Sequence, residues 1–485
     1  MHKLKVLLIN PPIKPKSPPY NIPLGLACIA AVIDAKGHDV AIFDNNAYRL
    51  KIGDVIQQIK DVQWDMICIG NLVTTYPWQK EILKRLRKEF PHTVLQVGGG
   101  LATSLQENLM EWIPEIDILV IGEGERTVGQ ILDNFPNRSW ENVKGILYRK
   151  NRTIQRTPPQ QLLTENELSE LPFPKLDLLP LEDVYFKHSG IPLSPEAMVS
   201  TRRISIEASR GCPFTCSFCI DLPSGRPRDM TYSDERSHPH NEDSQKKKIR
   251  YFDPARVVEH IKFLRLKYAI DFITFTDENF TSNKRQVLRF CELMKQEGLT
   301  ELEPPIKFST TAHVNTLDRE MLEKLKEAGC CALDLGLESM SRQLLAGDIC
   351  KKSTPEKNLW GFNECLDAGI YPITNFIIGL PNEDVQSVYD STKFLVKNDI
   401  ECGPFFVTPY PMTGLFERCK DQIIKTFGTL EQFVIACEQD VSSDFVINLT
   451  KYNDAELLGL RQMLINHDLD AIRKYGDQKG ETAED

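Results

Sequence analysis

Short uninterrupted apolar runs alternate with helical periodicity over the first 135 or so residues. Val6–Ile9, Val40–Phe43, Met66–Ile69, Val94–Val97 and Ile118–Ile121 have strand length and no polar alternation. Between them, Leu24–Ala35 reads as a helix stopping at Gly37, and Ile52, Val55, Ile56 and Ile59 fall at helical spacing, as do Ile82, Leu83 and Leu86. Strands that are apolar on both faces and alternate with helices predict a parallel sheet covered on both sides. In such a sheet ligands bind beyond the carboxyl ends of the strands. The loops there are Gly70 to Thr75, Gly98-Gly99-Gly100 and Gly122-Glu123-Gly124-Glu125. Glycines allow close backbone approach, and the hydroxyls of Thr74 and Thr75 can bond a polar ligand. Any one of these loops could be only a tight turn; three on one edge favour a ligand.

Gly145 to Arg156 alternates around Lys150-Asn151 and predicts a hairpin. Proline is dense from Thr157 to Ser200, which reads as an ordered linker. A second βα series follows, with strands expected at Ile204–Ala208, Phe272–Thr276, Ile306–Thr310, Ala332–Gly336, Ile373–Ile378 and Phe405–Thr408. Six such units predict an open, partial barrel. Helices end the chain, closing the open edge of the barrel, and Gly476–Asp485 is polar enough to be expected frayed. The expected division is 1–150, a linker 151–200, a barrel 201–414 and a helical region 415–485. Asp221–Arg250, with Ser237-His-Pro-His240, reads as a polar surface insertion.

Composition narrows the function. With 485 residues, 41% hydrophobic and 26% charged, the chain suits a folded protein of several domains. No apolar run is long enough to span a membrane, and the apolar stretch at the N-terminus is too short for a signal peptide, so a cytoplasmic protein is expected. A net charge of −10 argues against a nucleic-acid partner. Thirteen scattered cysteines read as reduced thiols in which a tight group would hold metal.

One such group exists. Cys212, Cys216 and Cys219 stand at C-x₃-C-x₂-C spacing just after a barrel strand. Three thiolates can ligate three irons of a [4Fe-4S] cluster and leave the fourth open for chemistry. The competing readings are chance and a zinc site, which needs a fourth ligand such as the distant His238.

This spacing, with Phe218 before the last cysteine, resembles the radical S-adenosylmethionine enzymes. The resemblance implies that the open iron chelates S-adenosylmethionine and that an electron cleaves it to a 5′-deoxyadenosyl radical. It further implies that Asp277 and Glu278, after the second strand, lie near the methionine amino end. By the same resemblance Glu338 and Ser339 belong to the ribose-binding segment Leu335–Ser339, and Gly379 lies in the stretch Asn375–Pro381 beside adenine. Two departures are His313, where the family often has arginine, and Met412, where a Pro-Gly-Thr turn would have glycine. Both bear on local substrate contacts.

Asn10-Pro-Pro12, Pro23–Leu26, Val97–Gly100 and Gly122–Glu125 together resemble the Rossmann-like cobalamin-binding domain that precedes the barrel in one branch of that family. Thr74, Thr75, Gly98, Gly99, Gly100, Gly122 and Glu123 are then the expected cobalamin contacts. The loop Asn10–Gly25 contains no histidine, which implies a cobalt without a protein imidazole below it. A degenerate domain that binds no corrinoid is the alternative. The implied fold class is α/β: a Rossmann-like domain, a partial (β/α)6 TIM-type barrel and a small helical region. The implied reaction is methylation of an unactivated carbon in an organic or peptide substrate, through hydrogen abstraction by the adenosyl radical and methyl transfer from methylcobalamin. A flavodoxin or ferredoxin would supply the electron. No side chain is assigned a catalytic role. The alternatives are a cobalamin-dependent cyclisation, ring contraction or rearrangement, and a non-catalytic electron or corrinoid carrier.

Overall fold

Alternation along each N-terminal strand explains why the sheet is buried on both sides. Val6, Leu8, Met66, Cys68, Val94, Ile118 and Val120 point into one core, together with Ala30 and Ile33 of helix Leu24–Ala35 and Ile131 of helix Gly124–Asn134. Leu7, Ile9, Ile67, Ile69, Leu95, Val97 and Leu119 point into the other, against helices Ile52–Ile59, Tyr76–Glu89 and Glu107–Trp112. Each fully buried Val, Leu or Ile contributes about 1.5–3 kcal/mol, so a polar residue on either face would be costly. The computed structural model describes residues 3–13, 18–187, 200, 202–220, 249–481 and 483.

The strands are β1 (Lys5–Asn10), β2 (Asp39–Asp44), β3 (Met66–Asn71), β4 (Val94–Gly99) and β5 (Ile118–Val120), parallel in the order β2-β1-β3-β4-β5. The hairpin is present as β6 (Ile146–Lys150) and β7 (Thr153–Arg156), and it extends the same sheet with antiparallel pairing. Positive φ angles at Asn151 and Arg152 make its two-residue turn.

The second sheet is β8 (Arg203–Ile206), then β11 (Phe272–Phe275), β12 (Lys307–Ala312), β13 (Cys330–Glu338), β14 (Tyr371–Ile378) and β15 (Phe405–Phe406), parallel in that order. Among the described residues β8 and β15 do not pair, so the barrel is open. A short antiparallel ladder, β9 (Ser209–Arg210) with β10 (Arg250–Tyr251), lies just after β8. Helix starts follow local chemistry: Asp318 caps helix Arg319–Glu327, accepting from the Met321 amide at 3.1 Å, and Thr354 caps helix Pro355–Asp367, accepting from the Lys357 amide at 3.2 Å.

The linker is ordered where it is described. Thr164 and Glu167 form a capping box for helix Glu165–Glu170, and Phe173 stacks on His260 of the barrel with ring centroids 4.4 Å apart. Residues 188–199 of the linker, and 221–248 of the insertion with His238, lie outside the described residues.

The C-terminal helices have two destinations. Gly414–Phe427 and Leu430–Ala436 join the core shared with the N-terminal sheet, where Tyr76 and Lys80 bond Glu431, the latter at 2.6 Å. Asp454–Ile465 and Leu469–Lys479 pack on the barrel helix Val385–Lys397. The intervening segment covers the open edge: Phe406 donates its amide to Val441 at 2.9 Å and its ring meets Phe445 at 5.5 Å. The expected fraying after Gly476 does not hold up to Glu481. That carboxylate accepts from Tyr452 Oη at 2.7 Å and the Val385 amide at 3.1 Å and pairs with Lys451 at 2.8 Å, so polar residues are docked by ion pairing.

Candidate active site

The carboxyl ends of β1, β3, β4 and β5 open into a cavity of about 450 Å³. Gly70, Gly98, Gly99, Gly100, Gly122 and Gly124 line it, together with apolar groups and the amides of Asn10 and Gln96. Two of these glycines are required by the backbone. Gly99 has φ 94° and ψ −165°, a region closed to residues with a Cβ, and Gly122 has φ 79°. A Cβ on Gly124 would come within 2.8 Å of Ile29 Cδ1. A wide, mostly apolar, glycine-floored cradle fits the face of a large macrocycle, and its few polar groups suit peripheral carboxamides. Among the described residues no histidine lines the cavity. Thr74 and Thr75 do not line it either: Thr75 is buried and its hydroxyl donates to the Leu72 carbonyl at 2.9 Å, holding the loop's own turn.

The far wall of this cavity belongs to the barrel and consists of Glu207, Arg210 and Glu278. Arg210 reaches across to Glu125 at 2.7 Å and Glu123 at 3.4 Å while its Nε bonds Glu207 at 3.0 Å. Arg250, paired with Arg210 on the β9–β10 ladder, grips both Glu123 oxygens at 2.8 and 2.9 Å. Burial opposes ionisation of Glu123, but the two guanidiniums hold its carboxyl below the usual range. Glu123 therefore faces the cavity with its carboxylate already engaged by two arginines.

Arg210 leads directly into the cysteine loop. Gly211, at φ 97°, donates its amide to Glu278 at 3.0 Å. Asp277 is fully buried and accepts from the Ala208 amide at 3.0 Å and Ser209 Oγ at 2.5 Å; burial pushes its carboxyl up to about 7. The two acids expected near a ligand's amino group thus brace the residues that precede Cys212. Downstream, the Ser217 amide donates to Ile349 at 2.9 Å and its carbonyl accepts from Leu415 at 2.7 Å, so barrel and C-terminal helix together grip the loop between Cys216 and Cys219. Phe218 packs against the core that contains those helices. Phe214 stacks on His313, with centroids 3.6 Å apart and planes within 12°. Burial, and then the Lys351 charge, push the His313 imidazole down to about 3, so it is neutral.

Cys212 and Cys216 are partly exposed and Cys219 is exposed, while most of the other ten cysteines are buried. Among the described residues no disulfide forms, and no three potential ligands converge on a single ion. In a [4Fe-4S] cluster each thiolate takes a different iron, so the sulfurs stand further apart than around one ion. Three thiols on one partly exposed loop are a donor set that would suit three irons of such a cluster.

Glu338 lies at the end of β13 with φ 64° and is buried. Its Oε1 accepts from Lys351 Nζ at 2.9 Å, and Lys351 also donates to the Gly336 carbonyl. A Cβ at Gly336 would collide with the Glu338 carboxylate. Asp334, beside this pair, is pushed up to about 6 by burial and then by the Glu338 charge. Ser339 Oγ accepts from the Ser341 amide at 3.0 Å, leading into the next helix. Gly379, at φ 94°, donates to the buried Glu383 at 3.0 Å. Met412, at the departure from the glycine turn, has the φ of 75° that a glycine would adopt freely.

Sequence reasoning misses Lys351 and the arginine network. Lys351 lies among residues without apolar periodicity, flanked by positive φ angles at Cys350 and Lys352. Arg210 stands beside Cys212, and Glu125 stands in the Gly122–Glu125 loop, but nothing in a linear chain marks them as partners.

Comparisons with known proteins agree with this geometry. The radical SAM superfamily model matches residues 206–395, and the B12 binding domain model matches residues 15–132. An uncharacterized methyltransferase of Pyrococcus horikoshii is 31% identical over 86% of this chain and 83% of its own length. An anaerobic magnesium-protoporphyrin IX monomethyl ester cyclase of Cereibacter sphaeroides is 24% identical over 76% of this chain and 55% of its own length. The radical S-adenosylmethionine methyltransferase TsrM from Kitasatospora setae, solved with cobalamin and a [4Fe-4S] cluster, shares the fold with a TM-score of 0.66 at 18% identity, covering 87% of this chain and 79% of that one. The chain belongs to the cobalamin-binding radical S-adenosylmethionine family, whose two domains imply a [4Fe-4S] cluster, S-adenosylmethionine and cobalamin as its cofactors.

Proposed function

We propose that this enzyme methylates an unactivated carbon of an organic or peptide substrate, using cobalamin as the methyl carrier. The observation that carries the reading is a shared wall: Glu207, Arg210 and Glu278 line the glycine-floored cavity, and the same segment runs on to Cys212. When bound, the cluster with S-adenosylmethionine supplies a carbon-centred radical and cobalamin supplies a methyl group.

The chain's own residues hold and separate these groups. Cys212, Cys216 and Cys219 hold the cluster. Gly98, Gly99, Gly100 and Gly122 would hold the corrin, with the side-chain amides of Asn10 and Gln96 as polar partners in the same cavity. Glu338, tethered by Lys351, would hold the ribose hydroxyls, and the stretch Asn375–Pro381 with Gly379 would lie by the adenine. Asp277 and Glu278 act on the methionine end through the loop they brace, and Ser339 supports the ribose segment from behind. The mostly apolar lining of the cavity would limit solvent around the bound groups. A low-potential donor such as a flavodoxin or ferredoxin fits the electron requirement, and an oxygen-sensitive cluster fits the reducing cytoplasm.

The test is anaerobic reconstitution with iron, sulfide, cobalamin and methyl-deuterated S-adenosylmethionine. Label on the bound cobalamin, with 5′-deoxyadenosine formed on reduction, is the expected result. Cobalamin that never acquires the label while 5′-deoxyadenosine accumulates would overturn methyl transfer. It would favour instead a cyclisation or rearrangement, the reading suggested by the cyclase relative.

A further inference from the structure

The arginine network lies where the two cofactor sites of the proposed reading meet, and its cost demands a reason. Arg210 is nine-tenths buried with three carboxylates around it, one from its own strand end and two from the corrin-facing loop. Glu123, Glu125 and Arg250 are equally enclosed. Replacing buried ion pairs by apolar side chains is often neutral or stabilising, so stability alone does not explain such a group. The guanidinium fork does something an apolar contact cannot: it fixes the direction of approach of each carboxylate.

The direction matters because of what lies on each side. Gly122 to Glu125 forms the cavity rim, with Gly122 at φ 79° and its amide donating to Thr103 Oγ1 at 3.0 Å. On the other side, Gly211 separates Arg210 from Cys212, and its amide is already held by Glu278. A displacement of the rim therefore reaches the first cluster ligand through one side chain and two peptide units.

We propose that Arg210 is a positioning residue that couples the two sites: a corrinoid seated on the Gly122–Glu125 rim orders the Gly211–Cys219 loop through the Arg210–Glu125 pair. The inference rests on the cavity being the corrinoid site. By linkage, the ordering also tightens binding of S-adenosylmethionine to the cluster, and the reverse holds with the same factor. The order of loading then has a consequence. A chain lacking its corrinoid holds the radical precursor weakly, which limits unproductive radical formation.

The full chain, with its cluster reconstituted anaerobically, is compared with and without hydroxocobalamin. Two quantities are read: hydrogen–deuterium exchange of amides 204–220 and the affinity for S-adenosylmethionine. Hydroxocobalamin is expected to slow exchange in that stretch and to tighten S-adenosylmethionine binding by about fivefold or more. Arg210→Lys keeps the charge but cannot span three carboxylates, and Glu125→Gln removes the partner from the other sheet. Each should abolish both effects in protein that retains its iron and is saturated with hydroxocobalamin, and the double variant should lose no more than either single one. If Arg210→Lys fails to fold, Glu125→Gln carries the same comparison. Full-chain protein that binds no cobalamin overturns the corrinoid reading itself. Cobalamin binding with unchanged exchange and affinity overturns the coupling alone. Additive losses in the double variant, the mark of general loosening, overturn the assignment to this pair.

Discussion

Lys351 Nζ lies 2.9 Å from Glu338 Oε1, with side chains only 5% and 11% exposed, so each charge depends on the other for its place in the barrel. Removing one partner leaves the other buried and uncompensated. Lys351→Met should therefore cost about 3–5 kcal/mol of stability. The double variant Lys351→Met with Glu338→Gln should lose markedly less. Anaerobic urea denaturation of the three proteins checks this, and equal losses in single and double variants would show that the pair is not the cause.

The cysteines divide by burial. Alanine at Cys212, Cys216 or Cys219 should lower bound iron and sulfide sharply and remove the reduced-cluster signal in electron paramagnetic resonance. Alanine at Cys350, which is exposed but lies outside the loop, should leave both unchanged. A Cys350→Ala protein without its cluster would mean that the ligand set has been misassigned.

Glu383 gives the fold a pH dependence. Its carboxyl is fully buried, accepts from the Gly379 amide at 3.0 Å and Ser387 Oγ at 2.8 Å, and is pushed by burial from 4.5 up to about 7. Between those values the folded chain binds a proton that the unfolded chain has released, so this group's contribution to stability falls as pH rises through the window. Glu383→Gln cannot ionise. The wild-type protein should lose roughly 2–3 kcal/mol relative to this variant between pH 5 and pH 8. Parallel denaturation curves at several pH values measure the difference, and a pH-independent gap would contradict the raised ionisation.

Gly99 should be the least replaceable of the cavity glycines. At φ 94° and ψ −165° an alanine costs of order 1–3 kcal/mol and turns the rim away from the cavity. Equilibrium dialysis of Gly99→Ala should show cobalamin affinity reduced by about tenfold or more with iron content intact. Unchanged affinity would indicate that the cavity is not where the corrinoid sits.

Periodicity makes both sheets legible in the chain itself. Val6–Ile9 and the runs like it are apolar at every position, and only a strand buried on both faces needs that. The C-x₃-C-x₂-C spacing is equally plain, since loop thiols close enough in sequence to share a cluster need no tertiary information to be recognised. The glycines at 98–100 and 122 are readable for a similar reason: left-handed and extended-mirror backbone is a local demand. What Thr75, Asp277 and Glu123 do is not legible. Each has the chemistry of a ligand contact, yet Thr75 closes its own turn, Asp277 braces the Ala208–Ser209 backbone and Glu123 is held by Arg250. A polar side chain bonds whatever partner the fold brings within about 3 Å: Thr75 finds a carbonyl three residues away, whereas the donors to Asp277 and Glu123 come from Ala208 and Arg250, 69 and 127 residues away. Thus the sequence alone determined the two sheets, the cluster loop and the family, because these rest on period, spacing and local backbone conformation. The tertiary structure alone decided which acids line the cavity, which ones brace the loop and that Arg210 meets Glu125 of the other sheet, because burial makes every charge choose a partner that sequence distance does not reveal.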